Sequence, residues 1–581
     1  MIRALSIQRI ARAGAILLGM ASAGLSDTIT LKDGTQLEGS IEMETPQKIA
    51  LKQGGGIKLI ARSDIASVTK SAPADNDSPA AQPAPRPANP RRAAAPAVLA
   101  DTQNDPIAGV VVKVNSTLVA PDFLKPWTRL APQTRTGSGY LLGNGRVLTN
   151  SHLVMHASQV QVQANESGDK ISASVVALAP DLDLAILKLD EKSPMDTPAA
   201  VADCAVLPEI KDTVSVYGFP EEGSNVSITT ATVTRIDFAS SGRSYTGLHV
   251  WLNTTVNVGL TGGPVIYKNQ FLGIAVSYKS GDQPVTFIVP YEEVEGFLKA
   301  LTPKGYPGKP VIVQEFQKIA NPALRSFLNL PPEMHGMLVN EADLAFGSSQ
   351  FKDWDVVTKV GDKRVDDEGM VPFTNGSRIA FAYMIQKATV DGHVAFKVMR
   401  AGKEVPLSVP VTGKRPTVYR DLVAAYPSYF ILGPVVFSSA TKQLFAVIDN
   451  LPNLEAMLGY RGSPLVKRRA EKPAFEGEEL VIVSSPFFPH KLVEGYSDSS
   501  LCVVKSVNGV AIRNLLHLVE VLRDLKDEFI VIEFGDRYCE NLVFPRAEML
   551  SSTESILNDN DVRSQGSADT MAVWNAKAAG H

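Results

Sequence analysis

Three side chains in this sequence have the types and the order of an acyl-transfer site: His152, Asp183 and Thr261. A histidine acts as a general base near neutral pH, an acid beside it fixes its tautomer, and a hydroxyl relieved of its proton attacks a carbonyl. His, then Asp, then hydroxyl is one of the chain orders in which such triads are built. The hydroxyl lies in the run Asn257, Val258, Gly259, Leu260, Thr261, Gly262, Gly263, Pro264. Glycines on both sides let the backbone approach a substrate carbonyl, and the N–H groups of Gly259 and Thr261 would converge as an oxyanion hole. A glycine-rich turn between two strands reads the same way when taken alone. TNSHLV at Thr149 to Val154 and DLAIL at Asp183 to Leu187 supply the base and the acid that such a turn lacks.

Two other assignments compete. Asp181 offers a second carboxylate close to Asp183. His152 and His156 have the i, i+4 spacing of a zinc-binding helix, but residue 153 is Leu where a zinc protease needs Glu, so no metal is expected. Thr261 is the unusual member. An internal threonine has no terminal amine to serve as its own base, and its methyl group restricts χ1. A misplacement of about 1 Å costs roughly a hundredfold, so turnover rests on this residue.

The elements that must position these side chains are strands. Short apolar runs are expected as strands at Val110 to Val114, Tyr140 to Leu142, Val147 to Thr149, Val160 to Val162, Ala173 to Ala177 and Ala185 to Leu189. Six more follow at Val214 to Tyr217, Ile228 to Ile236, Leu248 to Asn253, Pro264 to Tyr267, Phe271 to Ser277 and Val285 to Val289. Asn144-Gly145 between two of them is a hairpin signal. Many short strands at even spacing argue for two β-barrels rather than an α/β sheet. His152 and Asp183 then come from the first barrel and Thr261 from the second.

Around this body the 581 residues, 44% hydrophobic and 20% charged, allow several globular domains. A net charge of −4, with no basic run interleaved with aromatics, gives no sign of nucleic-acid binding. Arg3, Arg9 and Arg12 precede an apolar run from Ala13 to Met20 and then Ala21, Ser22, Ala23. Residues 1–25 are therefore expected to be a secretory signal peptide, too short to span a bilayer, with an uncleaved signal anchor as the alternative. The expected location is the periplasm. Alternating runs over 27–70 predict a small β-meander or SH3-like module. Seven prolines among alanines make 72–105 a tether. Of the three cysteines, Cys502 and Cys539 fall in one module and are read as buried free thiols rather than a bridge.

The motifs TNSHLV, DLAIL and GLTGGP resemble those of the Deg/HtrA family of trypsin-fold serine endopeptidases, TNAHVV, DLALL and GNSGGP; Thr261 stands in the place of the nucleophilic serine and Leu260 in that of the preceding asparagine. PDFLKPWTR at Pro121, VPFTNGSRIAFAYMI at Val371 and YPSYFILGPVVF at Tyr426 look like stretches of the plant-type members with two PDZ-like modules. The resemblance implies a mainly β chain with a trypsin-like double β-barrel at 106–301 and PDZ-like domains at 305–415 and 420–548; the tail at 549–581 is polar with scattered apolar residues and is expected to be disordered. The resemblance favours Asp183 over Asp181 and implies a cofactor-free, ATP-independent endopeptidase. Its partners would be unfolded or envelope polypeptides, and its assembly a homo-oligomer, trimeric or larger. The alternative is a pseudoprotease that binds polypeptide or scaffolds an assembly. Ile312, Val313 and Gln314 stand where the family has its glycine-containing carboxylate loop.

Overall fold

A computed structural model of the chain describes residues 27–33, 35–44, 48–53, 56–61, 64–69, 105–190, 204, 206–220, 223–240, 245–253, 258–280, 283–312, 314–340, 350–413, 417–469 and 471–576. The expected signal segment and, Asp105 apart, the expected tether lie outside them. Among the described residues no helix is long and apolar enough to cross a membrane.

The N-terminal unit is a five-stranded antiparallel sheet of β1 (Asp27–Leu31), β2 (Gln36–Glu44), β3 (Lys48–Gln53), β4 (Gly56–Ala61) and β5 (Ile65–Thr69), in the order β4-β3-β2-β1-β5. The first four strands form a meander and the fifth returns beside β1. Ile29, Ile49, Leu51 and Ile60 fill its core.

In the second unit, β6 (Val111–Leu118), β7 (Gln133–Gly143), β8 (Arg146–Thr149), β9 (Ala157–Ala164), β10 (Lys170–Ala179) and β11 (Leu184–Leu189) close into one barrel. β12 (Thr213–Gly218), β13 (Ser227–Ser240), β14 (Thr246–Asn253), β15 (Pro264–Tyr267), β16 (Gln270–Ser280) and β17 (Gln283–Pro290) close into another. Each expected strand coincides with one of these twelve. Asn144 and Gly145 both take positive φ, 54° and 62°, as a tight hairpin between β7 and β8 requires. Val112, Val147 and Leu187 pack inside the first barrel, and Val216, Val250 and Ile288 inside the second. Between the barrels Tyr140 stacks on Phe271 with ring centres 4.8 Å apart.

A helix at Tyr291–Ala300 leads to a linker held by a buried ion pair, Lys309 Nζ to Glu293 at 3.0 Å. A seven-stranded sheet follows, built on the strands Val356–Val360 and His393–Arg400, with the helix Ala382–Lys387 beside it. The C-terminal module combines the sheet Tyr429–Leu432, Val435–Ser439, Val481–Val483 with a four-stranded one that includes Val504–Val507 and Phe529–Phe534. Its helix Leu515–Asp524 starts where Asn514 accepts the His517 N–H at 2.9 Å, and it buries Leu515, Leu518, Val519 and Leu522 as one face.

Two expectations are corrected here. Cys502 and Cys539 are joined by a disulfide with Cα atoms 6.5 Å apart, while Cys204 is free. The strands Val504–Val507 and Phe529–Phe534 are paired neighbours, and this pairing brings the two distant cysteines together. The described part of the tail expected to be disordered, 549–576, is folded: the helix Arg546–Asp559 buries Met549, Thr553 and Ile556, and a second helix covers Ala568–Trp574. The segment PDFLKPWTR also gains a structural role. Phe123 and Leu124 pack on the core around Tyr419 and Phe445, and Trp127 meets Phe488 at 5.2 Å, joining the first barrel to the C-terminal module.

Candidate active site

His152 sits in a single helical turn, Ser151–Val154, directly after β8. Asp183 is fully buried at the start of β11, with φ +54°, a left-handed conformation that aspartate tolerates better than most residues. Its Oδ2 lies 2.7 Å from His152 Nδ1, and its Oδ1 accepts the His152 backbone N–H and the Ser151 hydroxyl, each at 2.9 Å. The Asp183 carbonyl accepts the Asn150 side-chain N–H at 2.8 Å. Burying a carboxylate is costly unless donors surround it, and here the Ser151 hydroxyl and the His152 backbone and ring provide them. The pairing places the imidazole proton on Nδ1 and leaves Nε2 as the acceptor. The His152 side chain is 29% exposed, whereas Asp183 is fully buried.

Asp181 takes no part in this contact; its carbonyl accepts the Thr246 N–H at 3.0 Å. The helix of His152 ends at Val154, and His156, at φ +61°, packs against Tyr426 with ring centres 5.9 Å apart. The two histidines therefore do not share a helical face.

The glycine loop runs into β15 of the second barrel and is bonded to β16. Val258–Leu260 form a 3-10 turn, Gly262 has φ +86° and donates to the Ala275 carbonyl at 2.9 Å, and Gly263 donates to Leu260 at 3.1 Å. A Cβ at Gly262 would run into the Ser138 carbonyl, and one at Gly263 into the Tyr217 carbonyl, so close approach of backbones demands both glycines. Leu260 is buried in the second barrel's core, which accounts for an apolar residue at that position.

Thr261 is also buried. Its Oγ1 accepts the Ser277 N–H at 3.1 Å and donates to the Ser277 carbonyl at 3.3 Å. Among the described residues no hydrogen bond links it to His152. Two residues that pattern reading missed complete the arrangement. Ser138 on β7 donates its N–H to the Thr261 carbonyl and its hydroxyl to the Gly259 carbonyl, each at 2.8 Å, tying the loop to the first barrel. Ser277 holds the Thr261 hydroxyl through main-chain atoms alone, which no residue type can signal. The only local hint for Ser138 is its place between Gly137 and Gly139.

The family model described as a trypsin-like peptidase domain matches residues 137–274, and one described as a PDZ domain matches 418–569. Protease Do-like 2, chloroplastic, of Arabidopsis thaliana is 31% identical over 487 residues, 82% of this chain and 78% of that protein. Protease Do-like 4, mitochondrial, of the same plant is 29% identical over 436 residues, 73% of this chain and 80% of its own. The solved HtrA-type protease AlgW with tripeptide aligns over 53% of this chain and 95% of its own, at 18% identity and a TM-score of 0.41. Two closed barrels, a histidine paired to a buried aspartate and the 31% identity to Protease Do-like 2 over 82% of this chain place it in the Deg/HtrA family of trypsin-fold serine proteases.

Proposed function

We propose that this chain is an ATP-independent Deg-type endopeptidase for unfolded polypeptides of the cell envelope, with its nucleophile turned aside at rest. The pairing of His152 with buried Asp183 at 2.7 Å carries the reading, because it supplies an oriented base. For hydrolysis, Thr261 rotates about χ1 away from Ser277, and His152 Nε2 takes its hydroxyl proton. The oxygen attacks the peptide carbonyl, and the protonated imidazole returns the proton to the leaving amine, giving an ester on Thr261. Water then repeats the cycle on that ester. The N–H groups of Gly259 and Thr261 would receive the oxyanion. In a 3-10 turn each carbonyl faces the N–H three residues on, so the turn at Val258–Leu260 must open to free the Thr261 N–H.

A second reading has its own support: the bonds from Thr261 Oγ1 to Ser277 favour a pseudoprotease that holds polypeptide without cutting it. Residence in an oxidising compartment such as the periplasm fits the Cys502–Cys539 disulfide, and assembly into trimers or larger cages fits the family. Digestion of unfolded casein by the purified chain beside His152→Ala tests the proposal. Wild type is expected to release peptides, slowly but faster than the variant. Equal rates would remove hydrolysis and leave the binding reading.

A further inference from the structure

Two surface loops of the C-terminal module meet where the helix Pro452–Tyr460 ends. Tyr460 and Tyr538 stack there with ring centres 5.8 Å apart and planes 8° from parallel, yet they remain 77% and 74% exposed, so the fold gains little from either ring. Beside them the Arg537 N–H donates to the Arg461 carbonyl at 2.9 Å. Gly462, at φ +63°, has two cations over it: a Cβ there would stand 3.0 Å from Lys467 Nζ and 3.9 Å from Arg537 Cδ. Among the described residues Arg461, Lys467 and Arg537 form no ion pair, whereas the adjacent Arg468 and Arg469 are paired with Glu478 and Asp449. A helix end favours one cation near it, but not three. The carboxylate next to Arg537 is Asp536, which is buried and whose Oδ2 accepts the Val503 N–H at 2.7 Å. Burial pushes its carboxyl up, against the pull of its hydrogen bonds and of the Arg461 and Lys467 charges, so it steadies the loop more than it screens the surface. The Cys502–Cys539 disulfide and the Gly535 N–H on the Val503 carbonyl at 2.8 Å brace the same loop.

Tyrosine and arginine on a fixed frame are the residue types that carry binding energy at protein interfaces, and unscreened charges of one sign repel until a partner supplies the other. We propose that Tyr460, Arg461, Lys467, Arg537 and Tyr538 form a docking surface for an acidic polypeptide segment that also carries an aromatic side chain. The two guanidinium groups take carboxylates through paired N–H bonds, Lys467 adds a point charge, and the outer faces of the tyrosines take the ring. Single-stranded nucleic acid is matched by a cationic groove that tracks its backbone and by open rings on which bases stack. Here the cations converge on one spot, and each tyrosine already covers a face of the other. Docking at this surface does not depend on turnover at Thr261.

The test is fluorescence anisotropy with a fluorescein-labelled peptide that alternates Glu with Tyr, amidated at its C-terminus so that no terminal carboxylate is captured. The full chain is expected to bind it at least about tenfold more tightly than the same peptide with Gln for Glu, and more weakly as salt rises. Tyr538→Ala should weaken binding several-fold. Lys467→Glu with Arg537→Glu, both exposed positions, should lose the acidic peptide and gain a peptide that alternates Lys with Tyr. Equal affinity of the wild-type and charge-reversed chains for the acidic peptide would overturn the proposal. So would tighter binding of a single-stranded RNA of the same charge, or self-association in sedimentation that the charge reversal removes, since the surface would then serve RNA or a second copy of the chain. If the charge-reversed chain binds neither peptide, Tyr538→Ala decides, and its equality with wild type would overturn the proposal.

Discussion

The Thr261 hydroxyl is bonded to both main-chain polar atoms of Ser277, at 3.1 and 3.3 Å, while the His152 imidazole is held by Asp183 through Nδ1 at 2.7 Å. Base and nucleophile are thus each well held, but by different partners. A threonine cannot easily swing between them, since two heavy atoms on Cβ restrict χ1.

Replacing Thr261 with serine removes the methyl and frees that rotation. Peptidase activity on unfolded casein is expected to rise by about ten- to a thousandfold, the range of a well-placed catalytic group. Thr261→Ala serves as the blank. A serine variant no faster than alanine would show that the loop, and not the methyl, blocks turnover.

His249 is buried on β14 with its ring 4.4 Å from that of Phe287. Burial, then the charges of Lys309 and Arg235, lower its pKa from 6.5 to about 4. The unfolded chain therefore takes up this proton near pH 6.5 and the folded one only near pH 4. The stability is complete above pH 6.5 and falls as the pH drops towards 4, by about 3 kcal/mol in all. Urea unfolding at pH 7 and pH 4.5 should show this loss in wild type and a smaller one in His249→Phe. An identical loss in both would assign the acid sensitivity elsewhere.

Asp355 is fully buried and bonded by Arg400 through Nε at 2.7 Å and Nη2 at 2.6 Å. Arg400→Met leaves a buried carboxylate without its cation and should cost about 3–5 kcal/mol. Adding Asp355→Ala should return part of that loss, which a double-mutant cycle in urea would measure. Additive effects would contradict the pairing.

Reducing the Cys502–Cys539 bridge opens a loop of sequence separation 37. The C-terminal module should then lose roughly 3–4 kcal/mol, seen as a lower thermal midpoint of the unfolding of its helix when dithiothreitol is present. Unchanged melting would mean that packing, not the bridge, holds these strands.

What the sequence determined by itself was local or repeated. Short apolar runs at even spacing marked the twelve barrel strands, Asn144-Gly145 marked its hairpin because few residue pairs accept two positive φ angles, and the order of His152, Asp183 and Thr261 pointed to a catalytic triad. The tertiary structure alone decided three things, each through contacts between residues far apart in the chain. The Thr261 hydroxyl found Ser277 through main-chain atoms, which carry no residue identity. Cys502 and Cys539 met because their strands are sheet neighbours, a pairing that spacing does not reveal. The polar tail, too poor in apolar residues to form a core of its own, folded by adding to the open edge at Phe430 and setting Met571, Val573 and Trp574 on a core built by other residues.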